Sequence, residues 1–224
     1  MTIKTLILGL LSILGLTSCN QHSNKQTDKP VSTTLLADRE IFSLYKKTDS
    51  VIYVGRALTT DDVSFDLHLY EINISSPEAA KQTFVSVQQF TKQELDNKKA
   101  ELQSNYAWTP FKGKDVLFVQ IQPTGFKDEM QLLVKRQEIE DKLSKALENR
   151  NLGEWVAGDI GPGGGNMLYT VMEIDKSMQI ILEVLLQNKL DESILIGRRV
   201  LVDQDNWFYE VIYPTKYTGD FNTM

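Results

Sequence analysis

Thiol and imidazole are scarce in this chain: 224 residues hold one cysteine, Cys19, and two histidines, His22 and His68. A lone thiol excludes an intramolecular disulfide, so the fold must rest on an ordinary core even in an oxidising compartment. Zinc sites draw three or four ligands from Cys, His and carboxylates, and this inventory points to no metal centre and no cofactor. A Ser-His-Asp triad would have to use His68, and no G-x-S-x-G turn is present to raise a serine nucleophile. Positive charge is short as well, with 24 Lys and Arg against 30 Asp and Glu, a formal net charge of −6. Nucleic-acid binders are basic, and peripheral docking on anionic lipid needs Lys/Arg clusters, so the balance argues against both partners. No apolar run reaches the ~20 residues of a bilayer-crossing helix. The hydrophobic content of 42% sustains a core for one or two domains at this length.

What is present begins at the N-terminus. Lys4 precedes an apolar stretch from Leu6 to Leu16 that only Gly and Ser interrupt, and Thr17-Ser18 follow. That is the layout of a secretory signal. The ending Leu16-Thr17-Ser18-Cys19 resembles the lipobox of bacterial lipoproteins. The resemblance implies cleavage after residues 1–18, a diacylglyceryl group on the Cys19 thiol, and usually an acyl chain such as palmitate on the new amino group. One myristoyl-sized chain binds a membrane at only roughly 10⁴ M⁻¹, whereas two or more anchor stably. The expected partner is therefore a membrane, reached through the lipid on Cys19 from its non-cytoplasmic side, with inner or outer membrane left open. Removing residues 1–18 takes one lysine and no acid, which brings the net charge to −7. Residues 19–34 are small and polar and read as a flexible tether, roughly 20 Å in reach; His22 lies in it.

The body divides by pattern into an N-terminal α+β region over 35–112 and a second α+β domain over 113–224. Leu36, Ile41, Leu44 and Tyr45 recur at helical spacing. Residues 50–57 are β-rich, and Thr59 to Asp62 form a turn. Val63, Phe65, Leu67 and Leu69 then alternate with polar residues in a half-buried strand. Ser75 and Glu78 have capping-box spacing, and Ala80, Phe84, Val87 and Thr91 line a helix expected to run past Leu95. The second half spells strand (116–122), helix (128–150), strands (154–160 and 167–174), a helix from Asp175, and a strand (194–202), with another over 207–213. That is the βαββαβ ferredoxin-like order. The fold class expected is α+β, a helix–hairpin–helix half followed by a ferredoxin-like half. Arg136 to Gly165 (RQEIEDKLSKALENRNLGEWVAGDIGPGGG) also resembles small ferredoxin-like bacterial domains, among which are immunity-type proteins that neutralise a toxin.

Candidate chemistry is thin. Gly161-Pro162-Gly163-Gly164-Gly165 leads into a strand-like segment, whereas a phosphate loop leads into a helix, so a hairpin connection is expected. Asp203-Gln204-Asp205-Asn206 starts like a calcium loop but has Trp207 and Phe208 where an oxygen ligand and glycine are needed. Asp61-Asp62 read as solvated turn acids. His68 and Glu71 fall on opposite faces of a strand, with His68 on the solvent side, and Arg198 and Arg199 likewise point apart. Trp155 and Trp207 read as packing residues. Two groups remain as a candidate interface: Gly161, Gly163, Gly164, Gly165 and Asn166, and the loop aromatics Tyr106, Trp108 and Phe111, which suit protein contacts. The expected function is a non-catalytic, protein-binding lipoprotein of the bacterial envelope, an immunity-like inhibitor or envelope-assembly factor. Two alternatives stand beside it. A carboxylate-based hydrolase needs converging acids with a raised pKa, and a small-ligand carrier needs an apolar cavity.

Overall fold

A computed structural model describes residues 38–75, 80–111, 115–190, 192–203 and 206–222. Four strands, β1 (Arg39–Lys47), β2 (Val51–Thr59), β3 (Phe65–Asn73) and β4 (Ala80–Phe90), run as an antiparallel meander. Short polar side chains close its turns. The Thr48 hydroxyl donates to the Val51 carbonyl at 2.8 Å. One Asp61 oxygen accepts the backbone N–H groups of Val63 and Ser64, both at 2.9 Å. These bonds hold the exposed Asp61 carboxyl down at about 2.

Helix α1 (Lys92–Tyr106) follows at once, started by a capping box in which Thr91 and Glu94 bond each other's backbone. It buries Leu95 and Leu102 against Phe42, Leu44, Ala57, Phe65 and Leu67, one face of the meander. The two-residue strand β5 (Thr109–Pro110) pairs beyond with β1.

The second sheet holds β6 (Asp115–Ile121), β7 (Gly153–Gly161), β8 (Gly164–Val171), β9 (Ile194–Leu201) and β10 (Trp207–Tyr213), in the order β10-β9-β6-β8-β7. Helices α2 (Glu129–Glu148) and α3 (Ile174–Gln187) connect them. Leu132, Ile139, Leu143 and Leu147 recur at 3.6-residue spacing on α2. They pack with Ile181 and Leu185 over Leu117, Val119, Met167 and Tyr169. The last strand, β11 (Gly219–Phe221), leaves this sheet and pairs with β4, so the first sheet reads β11-β4-β3-β2-β1-β5. Gln82 of β4 bridges the two sheets. Its amide donates to the Val211 carbonyl at 3.0 Å and accepts from the Val211 N–H at 2.9 Å, covering backbone on the β10 edge. The described residues, 38 to 222, belong to one compact unit.

The helix–hairpin–helix half followed by a ferredoxin-like half is therefore corrected. The described residues are mostly β, in two antiparallel sheets of six and five strands with three helices. Residues 39–47 form a strand where a helix was expected, because both its faces are covered. Phe42 and Leu44 meet α1, while Tyr45 meets the second sheet, so the apolar residues lose their alternation. Residues 80–90 are a strand, because β3 pairs along one edge and β11 covers Ala80–Gln82 on the other; the expected helix begins only at Thr91. The second half is no closed unit either, since β10 widens its sheet and β11 joins the other. The lipobox, the tether and the 112–114 turn lie outside the described residues.

Candidate functional site

Strand alternation sets up the site. In the first sheet, Val54, Arg56 and Leu58 face inward opposite Tyr70, His68 and Asp66 of β3, and Glu40 and Ser43 of β1 share that face. In the second sheet, Arg198 of β9 stands directly across from Glu210 of β10. Where these faces meet, two arginines and two glutamates close a ring. Arg198 donates to Glu40 at 2.8 Å and to Glu210 at 3.0 Å. Arg56 lies 3.5 Å from each of the same two carboxylates. The Ser43 hydroxyl accepts from Arg198 at 3.0 Å, and the Phe111 ring lies 4.5 Å beneath its guanidinium.

All four charges are largely withdrawn from water, and Glu210 is fully buried. Burial pushes the Glu40 carboxyl up, but Arg198 and then Arg56 outweigh it, so Glu40 is held below the usual range. Burial likewise works against charged Arg198, and the Glu40 and Glu210 carboxylates more than reverse that. The ring thus carries no net charge. It is also uneven: Arg198 takes the short bonds, while every Arg56 contact is 3.5 Å, including that to the Ile212 carbonyl. The buried Nε–H groups of Arg56 and Arg198 alike have no hydrogen-bond acceptor among the described residues.

Beside the Arg56 edge of the ring is a cavity of about 240 Å³. One wall is polar, from Asp38, Glu40, Arg56 and Asp175. The other is apolar, from Leu58, Ile174, Met178, Leu182 and Ile212, with Tyr213 and Thr215 completing the lining. Helix α3 supplies much of the apolar wall, because Ile174, Met178 and Leu182 follow one another at i, i+4, i+8 along it. Asp175 in its first turn accepts the Glu40 N–H at 3.5 Å. Neither Asp38 nor Asp175 has a cation within ion-pair distance among the described residues. Burial raises the pKa of both carboxyls. It also raises that of Asp115.

Behind this wall the Tyr70 hydroxyl donates to the Thr215 carbonyl and lies 3.3 Å from His68 Nδ1. His68, expected on the solvent face, is buried. Burial, with Arg56 adding to it, lowers its pKa to about 4, so it is neutral at pH 7.

The residues singled out from sequence fall elsewhere. Gly161 to Asn166 form a tight hairpin, with Gly161 and Gly164 paired across Pro162-Gly163, and Gly163, Gly164, Gly165 and Asn166 are buried. Close packing explains the glycines. A Cβ on Gly158 would stand 2.2 Å from Arg136 Nη1, and one on Gly165 would press on the Arg136 stem. Gly164 has φ +128°, and a Cβ there would meet the Ile121 carbonyl oxygen at 2.1 Å. Tyr106 and Trp108 pack onto the α1-side core, and Phe111 packs between Tyr45 and Phe208. These two groups do not share an exposed patch. Trp155 and Trp207, expected in the core, are instead among the exposed apolar residues. Asp61 and Asp62 sit in a solvated turn.

Sequence reasoning missed Asp38, Glu40, Arg56, Asp175 and Glu210, and it dismissed Arg198. A signal existed: SVIYVGRA, ILIGRRVL and WFYEVIY each place a charge inside a β-rich apolar run, where an exposed face would alternate. Among the described residues no three His, Cys, Asp or Glu are grouped to hold a metal ion, and no helix is long and apolar enough to cross a membrane. Comparison of the chain with protein-family models, with curated proteins and with solved structures found no match.

Proposed function

We propose that this chain is a lipid-anchored protein of the bacterial envelope that acts by binding another protein, with the pocket beside the ionic ring as its recognition site. The cavity carries this reading: about 240 Å³ with one polar and one apolar wall. Ligand pockets typically span ~300–1,000 Å³, so this one suits a single inserted side chain better than a whole cofactor. The lipobox supports the address, and the acid excess supports a basic partner. A photocrosslinker at Thr215 should capture a partner in intact envelopes, and Met178→Trp, which fills the cavity, should abolish that capture. Capture indifferent to the plug would sink the pocket as the recognition site. The address has its own test: Cys19→Ser should prevent lipidation and release the body from membranes.

One observation favours a second reading, a carboxylate-based hydrolase. Asp38 and Asp175 line one pocket and both have raised pKa values, as a proton-donating acid requires. That reading expects catalytic turnover of an envelope polymer, abolished by Asp38→Asn or Asp175→Asn. The binding reading expects a stoichiometric complex and no cleaved product.

A further inference from the structure

We infer that the pocket is specific for a cationic side chain, an ammonium or guanidinium on an aliphatic stem, inserted by a basic protein partner; this rests on the pocket being the recognition site. The argument is one of charge left over. Glu40 and Glu210 are neutralised by Arg56 and Arg198 within the ring. Asp38 and Asp175 are not, although they line the same cavity. Two half-buried carboxylates with no cation at ion-pair distance among the described residues are destabilised by the water they have lost, and an entering cation supplies a close partner. An entering anion would meet the same two charges as repulsion.

The stem follows from the opposite wall. Leu58, Ile174, Met178 and Ile212 offer a methyl-lined surface of the kind that lysine and arginine stems cover while their heads reach polar groups. A protein is favoured as the source of the cation because the net charge of −6 draws basic macromolecules by long-range steering.

Methyl NMR titration of the full chain solubilised in detergent tests the inference with four probes: pentylammonium, pentanol, pentanoate and N-acetyl-lysine methylamide. Pentylammonium and the lysine derivative should both shift the Leu58, Ile174, Met178 and Ile212 methyls, with pentanoate at least about tenfold weaker. Asp38→Asn and Asp175→Asn should each weaken the cations about tenfold, while Glu154→Gln on exposed β7 should change nothing. Since Asp175 sits in the first turn of α3, Asp38→Asn keeps the test decisive if the other variant misfolds. Pentanol or pentanoate binding as well as pentylammonium would overturn the charge specificity and leave the pocket standing. Binding of pentylammonium without the lysine derivative would overturn the side-chain occupant. Plug-sensitive crosslinking in envelopes with no cation binding would overturn the inference alone.

Discussion

Two regions on one face of the second sheet solve the same problem in opposite ways. Under α2 and α3, Leu117, Val119, Met167 and Tyr169 meet helical Leu and Ile side chains, and burial of apolar surface holds the layers together at ~25 cal/mol per Å². A few residues along on β9 and β10, the same face meets the first sheet through Arg198 and Glu210. There the layers are joined by charges whose desolvation roughly cancels their attraction. An aliphatic layer closes by deforming to fill space, whereas an ionic ring needs fixed geometry, and the cavity lies at the ring's loosely held edge. The polar junction therefore contributes little net stability but gives its cavity a wall of four charged side chains, Asp38, Glu40, Arg56 and Asp175.

Breaking each region separately should expose that contrast. The largest effect is expected from Arg198→Met, which strands Glu210 without its short bond and should cost about 3–5 kcal/mol in denaturant unfolding. The paired change Arg198→Met with Glu210→Leu should recover most of that loss, since a matched apolar pair is often neutral or stabilising. If the double variant is as unstable as the single, the ring is a net source of stability and the comparison fails. In the aliphatic layer, Ile139→Ala should cost about 2–5 kcal/mol by leaving a cavity, and no nearby charge change should rescue it.

A smaller effect sharpens the polar side. The folded pKa of His68 is about 4, below its ordinary 6.5. Its contribution is thus present above pH 6.5 and lost as pH falls toward 4, on the order of 2 kcal/mol after discount for solvent screening. Asp38, Asp175 and Asp115 act oppositely, because raised carboxyl pKa values favour the folded state as pH falls. Unfolding measured at pH 7 and pH 4.5 should show His68→Gln losing less stability on acidification than the parent. An equal loss in both would mean that the buried imidazole is not what titrates. The smallest effect is expected at Trp207, exposed and stacked only loosely at 6.0 Å from Arg199. Trp207→Ser should cost less than about 1 kcal/mol in the same assay.

Legibility followed the depth of the layering. The helix read over Asp128–Arg150 forms as Glu129–Glu148, because one face is buried and the other wet, and the 3.6-residue period survives intact. The strand at Val116–Gln122 forms as Asp115–Ile121 for a related reason, a continuous apolar run between two covering layers. Residues 39–47 and 80–90 misled because their environment is tertiary: one is covered on both faces, the other is paired on both edges. The same cause hid the site. His68 was placed in solvent because Phe65, Leu67 and Leu69 accounted for one buried face, and nothing local announces that a second sheet covers the other. The glycines of Gly161–Gly165 attracted notice as a loop, yet they are needed where the Arg136 stem and the Ile121 carbonyl come too close for a Cβ.

The amino-acid sequence by itself determined the acid excess, the single thiol at a lipobox-like position and the amphipathic helices, all of which depend on composition or on neighbours within a few residues. Tertiary structure alone decided that Glu40, Arg56, Arg198 and Glu210, spread over 170 positions of chain, would form one ring beside one cavity. The physical reason is that charge pairing in a protein interior depends on distance in space and on the exclusion of water, and strand pairing across two sheets sets both.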